Sequence, residues 1–285
     1  MDYIIYGICI IIIIIWFLYR DKKNYNQAPK KIWTYWDNPI KIPNTVELCM
    51  ASWKKFHPEY EIVLLTKKNY KGYVTIPEEL IAHQNMNDIS RRFSDLIRLW
   101  VLAEHGGIWM DSTILLKGTV EDWLFPHYAE YSGFYIDAHT RKKEFPVIES
   151  WFIACNKGSP FIKKWRDEFS NMAHFQTVGH YILSLRKEGV DFQGIQDPHE
   201  LAIHAACQKV LQVKRYPLES LYLQKAEDGP YRYLAKVQWN SEKGIELACM
   251  NPEYQAPIMN MRQGEQDALE KRLDYDLTVE MCGWI

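Results

Sequence analysis

"RRFSDLIRLWVLAEHGGIWMDSTILL", Arg91 to Leu116, packs a helix, a two-glycine stop and a strand into one unbroken run. At about 100° per residue, Phe93, Leu96, Ile97, Trp100 and Ala103 fall on one face of the helix, and Leu99 and Leu102 widen it. Arg91, Ser94, Asp95 and Arg98 share the remaining sector. A helix that is apolar over most of its girth is buried over most of its girth. Its polar stripe then faces either solvent, where an Asp–Arg pair three residues apart is ordinary, or a cleft. Gly106 and Gly107 suit a helix C-cap and a very short connection, which brings "IWMD" back beside the helix. Asp111 then stands at a strand end, followed by Ser112 and Thr113. With strand end and helix stripe on one cleft, a carboxylate there binds a hard divalent cation or a ribose hydroxyl. Asp95 accepts hydrogen bonds from hydroxyl groups, and Arg98 pairs with an anion or holds Asp95 in place.

The same alternation extends on both sides. "KIWTYW" and "EIVLLT" read as buried strands, with the helical "TVELCMASWKKFH" between them. "SGFYI" and "SWFIAC" read as later strands, and "SPFIKKWRDEFSNM" as a helix with Ser159 as N-cap and Pro160 at its first position. Strands alternating with helices predict an α/β domain, its sheet mainly parallel and flanked by helices. Ligands of such sheets sit at the carboxyl ends of the strands, which is where Asp111 falls. No G-x-G-x-x-G follows a strand, so a dinucleotide oxidoreductase lacks its fingerprint.

Composition narrows the class. The formal net charge is −2 and no basic stripe stands out, so nucleic acid is not an expected partner. The 6 cysteines form no C-x-x-C pair, which argues against a zinc site or a disulfide framework. At the N-terminus "YIIYGICIIIIIIWFLY", Tyr3 to Tyr19, carries no charge and has Tyr and Trp at its ends. That length is at the lower limit for a bilayer-spanning helix, and the flanks lack the marks of a cleaved signal peptide. The expected organisation is a transmembrane anchor over 1–19, a polar linker over 20–29 and one domain over 30–285. Arg20, Lys22, Lys23, Lys30 and Lys31 follow the span, so the positive-inside rule places the domain in the cytoplasm, with a Golgi-type lumenal orientation as the alternative.

"SDLIRLWVLAEHGGIWMDST", Ser94 to Thr113, resembles the signature of nucleotide-sugar-dependent glycosyltransferases with a GT-A fold. Within that group it is most similar to the capsular polysaccharide synthesis protein family, related to the yeast-type initiating mannosyltransferases and the glucosylating clostridial toxins. "PKKIWTYW", "ASWKKFHPEYEIVLLT" and "SWFIACNKGSPFIKKW" agree, and the resemblance runs from about Pro29 to about Leu211. It implies a GT-A domain that moves a sugar, as a hexosyltransferase does, from a nucleotide-diphosphate sugar to a glycan or lipid-linked acceptor, with retention of configuration. By the same resemblance Trp36 lies by the base, Asp95 and Arg98 contact the donor and share the catalytic role with Asp111, and Trp109, two residues before the metal motif, is a donor-binding aromatic. Asp111 matches the first Asp of D-x-D, and Thr113 stands where the second would be. A Mn²⁺ or Mg²⁺ ion is then held by Asp111, Thr113 and the donor diphosphate. A further ligand is expected from His180, His199 or His204, with His199 in "DPHEL" placed first. Glu149 and Ser150 either approach the sugar or are strand-edge polar residues. Two alternatives stand beside this. One is a relative that binds a sugar nucleotide or glycan without turnover, which the D-x-T form favours. The other is an Asp-nucleophile phosphohydrolase, which requires a second nearby Asp.

Overall fold

The computed structural model describes residues 28–38, 40–121, 129–250 and 257–273. The expected anchor over 1–19 and most of the linker lie outside them. Among the described residues no helix is long and apolar enough to cross a membrane.

The strands are β1 (Lys31–Tyr35), β2 (Glu61–Leu65), β3 (Gly107–Met110), β4 (Ile114–Leu116), β5 (Tyr131–Tyr135), β6 (Ile148–Cys155), β7 (Leu221–Lys225) and β8 (Ile258–Asn260). The helices that carry the core and the site are α1 (Asn44–Phe56), α2 (Ser90–His105), α3 (Pro160–Ser170), α4 (Ala202–Gln212), α5 (Ser241–Met250) and α6 (Gln263–Leu273). Six strands form one sheet in the order β2-β1-β3-β6-β5-β7, and β4 pairs with β8 in a separate ribbon.

The sheet is mixed rather than mainly parallel. β1 runs parallel to β2 and β3, and β5 to β7, but β6 is antiparallel to both β3 and β5. The chain passes from β5 to β6 without a crossover helix, and a strand that turns straight back pairs antiparallel.

Period-2 alternation sends neighbouring side chains to opposite faces of this sheet. Trp33, Trp109 and Ile153 pack with α2, α3 and α4 in one core. Ile32, Ile108, Met110 and Phe152 pack with α1, α5, α6 and the β4–β8 ribbon in the other. The result is three layers, helix on sheet on helix, and the apolar face of α2 reads as the sequence period requires.

Helix ends are tied with equal care. Ser159 Oγ accepts the Ile162 amide at 3.3 Å, capping α3. Buried Glu130 supports the same end, accepting from Ser159 Oγ at 3.0 Å and the Phe161 amide at 3.3 Å, and its other oxygen accepts from the Tyr216 hydroxyl. A carboxylate is favoured at a helix N-terminus. Glu130→Ala should therefore cost roughly 2 kcal/mol, visible as a lower urea midpoint at unchanged slope. An unmoved midpoint would show that Ser159 alone holds the helix end.

Candidate functional site

The site forms where β1 and β3 end. Asp111 leaves β3 with its amide bonded to the Trp151 carbonyl at 2.8 Å, and its carbonyl accepts from the Ile114 amide at 3.0 Å. The turn holds Asp111, Ser112 and Thr113 out of the sheet. Asp111 Oδ1 accepts from Arg98 Nη2 at 2.9 Å and from Trp109 Nε1 at 2.8 Å. Its Oδ2 has no hydrogen-bond partner among the described residues, and the side chain is 36% exposed. One carboxylate oxygen is clamped and the other is left for the cleft.

Arg98 does the clamping from a buried position. Its side chain is 4% exposed, with Nη2 also 3.3 Å from Asp95 Oδ1. Nη1 donates to the Ser150 carbonyl at 2.7 Å, and the guanidinium lies over the Trp109 ring at 4.9 Å from its centroid. Burial pushes the Asp95 carboxyl above its ordinary value, and Arg98 pulls it back. The Asp–Arg stripe is thus a buried wall, although its residue types alone fit solvent equally well.

Two hollows meet at this wall. One, of about 470 Å³, is bounded by Tyr35, Trp36, Lys41, Ser90, Ser94 and Gln266. The other, of about 350 Å³, is bounded by Asp95, Glu149, Trp151, His204, Tyr231 and Arg262. Arg91, Arg98, Asp111 and Thr113 line both. Each volume suits a small-ligand site, and the shared residues put Asp111 at the junction of the two hollows, taken together as the cleft.

The structure brings Trp36, Asp95, Arg98, Asp111 and Thr113 to this cleft. Trp109 corrects the expectation of a ligand-facing aromatic. It is 1% exposed and lines neither hollow. β-Alternation turns it into the core, where its role is to hold Asp111 and carry Arg98. His199 corrects the expected metal-ligand set. The Asp197 carboxylate accepts the amides of His199 and Glu200 at 3.0 and 3.2 Å, and His199 stands exposed beside Gly179, outside both hollows. His180 is also outside, bonded to Thr177. α4 instead carries His204 inward, its Nε2 3.8 Å from Glu149 Oε2.

The oxygen donors fit a hard cation in part. Asp111, with its unpaired Oδ2, and Thr113 line both hollows and are oxygen-bearing residues of the kind a hard cation takes together with water and phosphate oxygens. Among the described residues three candidate ligands converge elsewhere, at His57, Glu59 and Glu121, where Lys30 already lies 3.4 and 3.7 Å from the two carboxylates. Tyr231, Asn260, Arg262, Gln263 and Gln266 supply the part of the wall that sequence reasoning missed. The R-x-x-E spacing from Arg262 to Glu265 resembles a helix-start pattern, but nothing local points it at Asp111.

Fold and site together define an α/β protein with a ligand cleft at the carboxyl ends of its parallel strands. The chain belongs to the capsular polysaccharide synthesis protein family, whose model matches residues 13–181. It is 28% identical over 162 residues to the O-glycosyltransferase braB of Annulohypoxylon truncatum, covering 51% of this chain and 38% of that protein. It is 26% identical over 162 residues to the glycosyltransferase afumC of Aspergillus fumigatus (strain CBS 144.89 / FGSC A1163 / CEA10), covering 50% of this chain and 40% of that one. The matched stretch thus spans about two fifths of these relatives. A loose structural likeness is found to the galactosyltransferase LgtC in complex with donor and acceptor sugar analogues, with a TM-score of 0.42, 12% identity and coverage of 89% of this chain and 95% of that one.

Proposed function

We propose that the chain is a GT-A-type glycosyltransferase that takes a sugar from a nucleoside-diphosphate donor. The observation carrying this is the free Asp111 oxygen at the junction of two hollows. A donor of this class has an aromatic base, a charged diphosphate and a polyhydroxyl sugar. The hollow holding Tyr35 and Trp36 offers aromatic surface for the base. The hollow holding Asp95, Glu149 and His204 offers acceptors and a donor for hydroxyl groups. The diphosphate then falls at Asp111 and Thr113.

A Mn²⁺ or Mg²⁺ ion held by Asp111 Oδ2 and Thr113 would supply Lewis-acid stabilisation of the departing diphosphate. Arg98 and Trp109, stacked on each other, fix the Asp111 rotamer by both donating to Oδ1. The expected activity is hexosyl transfer to a glycan or lipid-linked acceptor. Retention of configuration and the cytoplasmic placement of a membrane-anchored domain rest on the resemblance and the charge pattern.

The direct test is a screen of UDP- and GDP-linked sugars for donor hydrolysis by the full-length protein, with Mn²⁺ or Mg²⁺. Release of nucleoside diphosphate, abolished by chelation, is expected for at least one donor. Cleavage of simple phosphomonoesters with no release from any sugar nucleotide would replace this reading with the phosphohydrolase. One feature favours a second reading, a binding protein without turnover: Thr113 in place of a carboxylate. Calorimetric binding of a sugar nucleotide with no hydrolysis at saturating metal would establish it.

A further inference from the structure

We propose that Arg262 grips the donor diphosphate from the C-terminal side of the cleft. The inference rests on the glycosyltransferase reading and supplies a cation that the Asp95–Arg98–Asp111 wall lacks. Arg98 is the central guanidinium, but it is buried and its Nη atoms are spent on Asp95, Asp111 and the Ser150 carbonyl. Its charge is already met by two carboxylates. A diphosphate brings two or more negative charges into the same space; a divalent ion held at Asp111 would offset part of the total of those charges and the two carboxylates, and one further cation would balance the rest.

Arg262 is placed to be that cation. The amide of Met261 donates to the Thr113 carbonyl at 3.3 Å, so the Arg262 side chain begins beside the Asp111–Thr113 turn. Arg262 lines the hollow containing Glu149, while Gln263 and Gln266 line the one containing Trp36. The start of α6 therefore straddles the junction where the diphosphate falls.

Its guanidinium is held ready. Nε and Nη2 donate to Glu265 at 3.0 and 2.9 Å, and Glu265 is fully buried at 0% exposure. The Trp239 ring lies under it at 5.1 Å from the centroid. Nη1 has no partner among the described residues, and the side chain is 43% exposed. The Arg262 carbonyl accepts the amides of Glu265 and Gln266, so this cation sits at the N-terminal end of α6. The helix dipole opposes a cation there, and Glu265 offsets that. An arriving phosphate gains from the guanidinium and the dipole together. Arg91 is a weaker candidate, since it is largely exposed and only 4.0 Å from Glu200.

The test compares UDP and GDP with their monophosphates by calorimetry, in the presence of Mn²⁺, on the full-length protein. The variants are Arg262→Lys and the double Arg262→Gln/Glu265→Gln, which avoids leaving a buried carboxylate unpaired. For the nucleotide that the wild type binds, the double variant should lose about 10- to 100-fold in diphosphate affinity and less than about threefold for the monophosphate. Arg262→Lys should fall between, because it keeps the charge and loses the fork. Equal losses for mono- and diphosphate would assign Arg262 a structural role and overturn the proposal. So would undiminished diphosphate affinity in both variants. Failure of the wild type to bind any nucleoside diphosphate would overturn the underlying reading as well.

Discussion

Asp111→Asn is expected to cut nucleotide-sugar turnover on the order of a thousandfold while leaving the protein folded. The clamped side of the carboxylate survives the change. An amide oxygen still accepts from Arg98 and Trp109, whose donors lie at 2.9 and 2.8 Å from Oδ1. The new NH₂ group must then take the Oδ2 position and face the cleft. A donor replaces an acceptor there, and the negative charge that would hold a divalent ion is gone. Volume is nearly unchanged and Asp95 still balances Arg98, so unfolding should shift little. The measurement is donor hydrolysis across a Mn²⁺ titration, paired with a thermal melt. A wild-type rate at saturating Mn²⁺ would remove Asp111 from the chemistry, and a collapsed melt would make it a structural residue.

Much of this site was legible because its parts are local. The apolar period of α2, the glycine pair and the strand after it fix where Asp95, Arg98 and Asp111 lie relative to one another. A one-residue connection leaves the chain few ways to turn. Trp109 was misplaced although the clue was present: strand alternation puts it on the face opposite Ile108 and Met110. His199 and His204 are separated by less than two helical turns, so one local event decides between them. Asp197 turns His199 outward, and the start of α4 brings His204 in. The antiparallel β6 depends on how the chain returns after β5, which composition does not encode. Arg262 reaches the cleft through the β4–β8 pairing, where Ile114 meets Asn260. That pairing joins segments far apart in sequence, and hydrophobic periodicity carries no information about it.

Gly106→Ala should destabilise the fold by about 4 kcal/mol, a large share of the roughly 5–15 kcal/mol that holds a domain together. Two costs add. Gly106 has φ 66° and ψ −159°, a region that side chains with a Cβ avoid. A Cβ there would also lie 2.4 Å from the Lys157 amide nitrogen and 2.7 Å from the Asn156 carbonyl carbon. Those are backbone atoms just past the end of β6, so no rotamer change relieves the clash. The Gly106 carbonyl also accepts from buried Trp33 Nε1 at 2.9 Å, which ties the same peptide to β1. Gly189→Ala is the control, because its φ of 86° carries strain but nothing lies within 4 Å of the added Cβ. It should cost about 1 kcal/mol, conformational strain alone. Urea unfolding of both variants separates the two terms. Equal midpoints would mean that the segment after β6 moves aside freely. The tight join between α2 and β3 would then not be what holds Arg98 against Asp111.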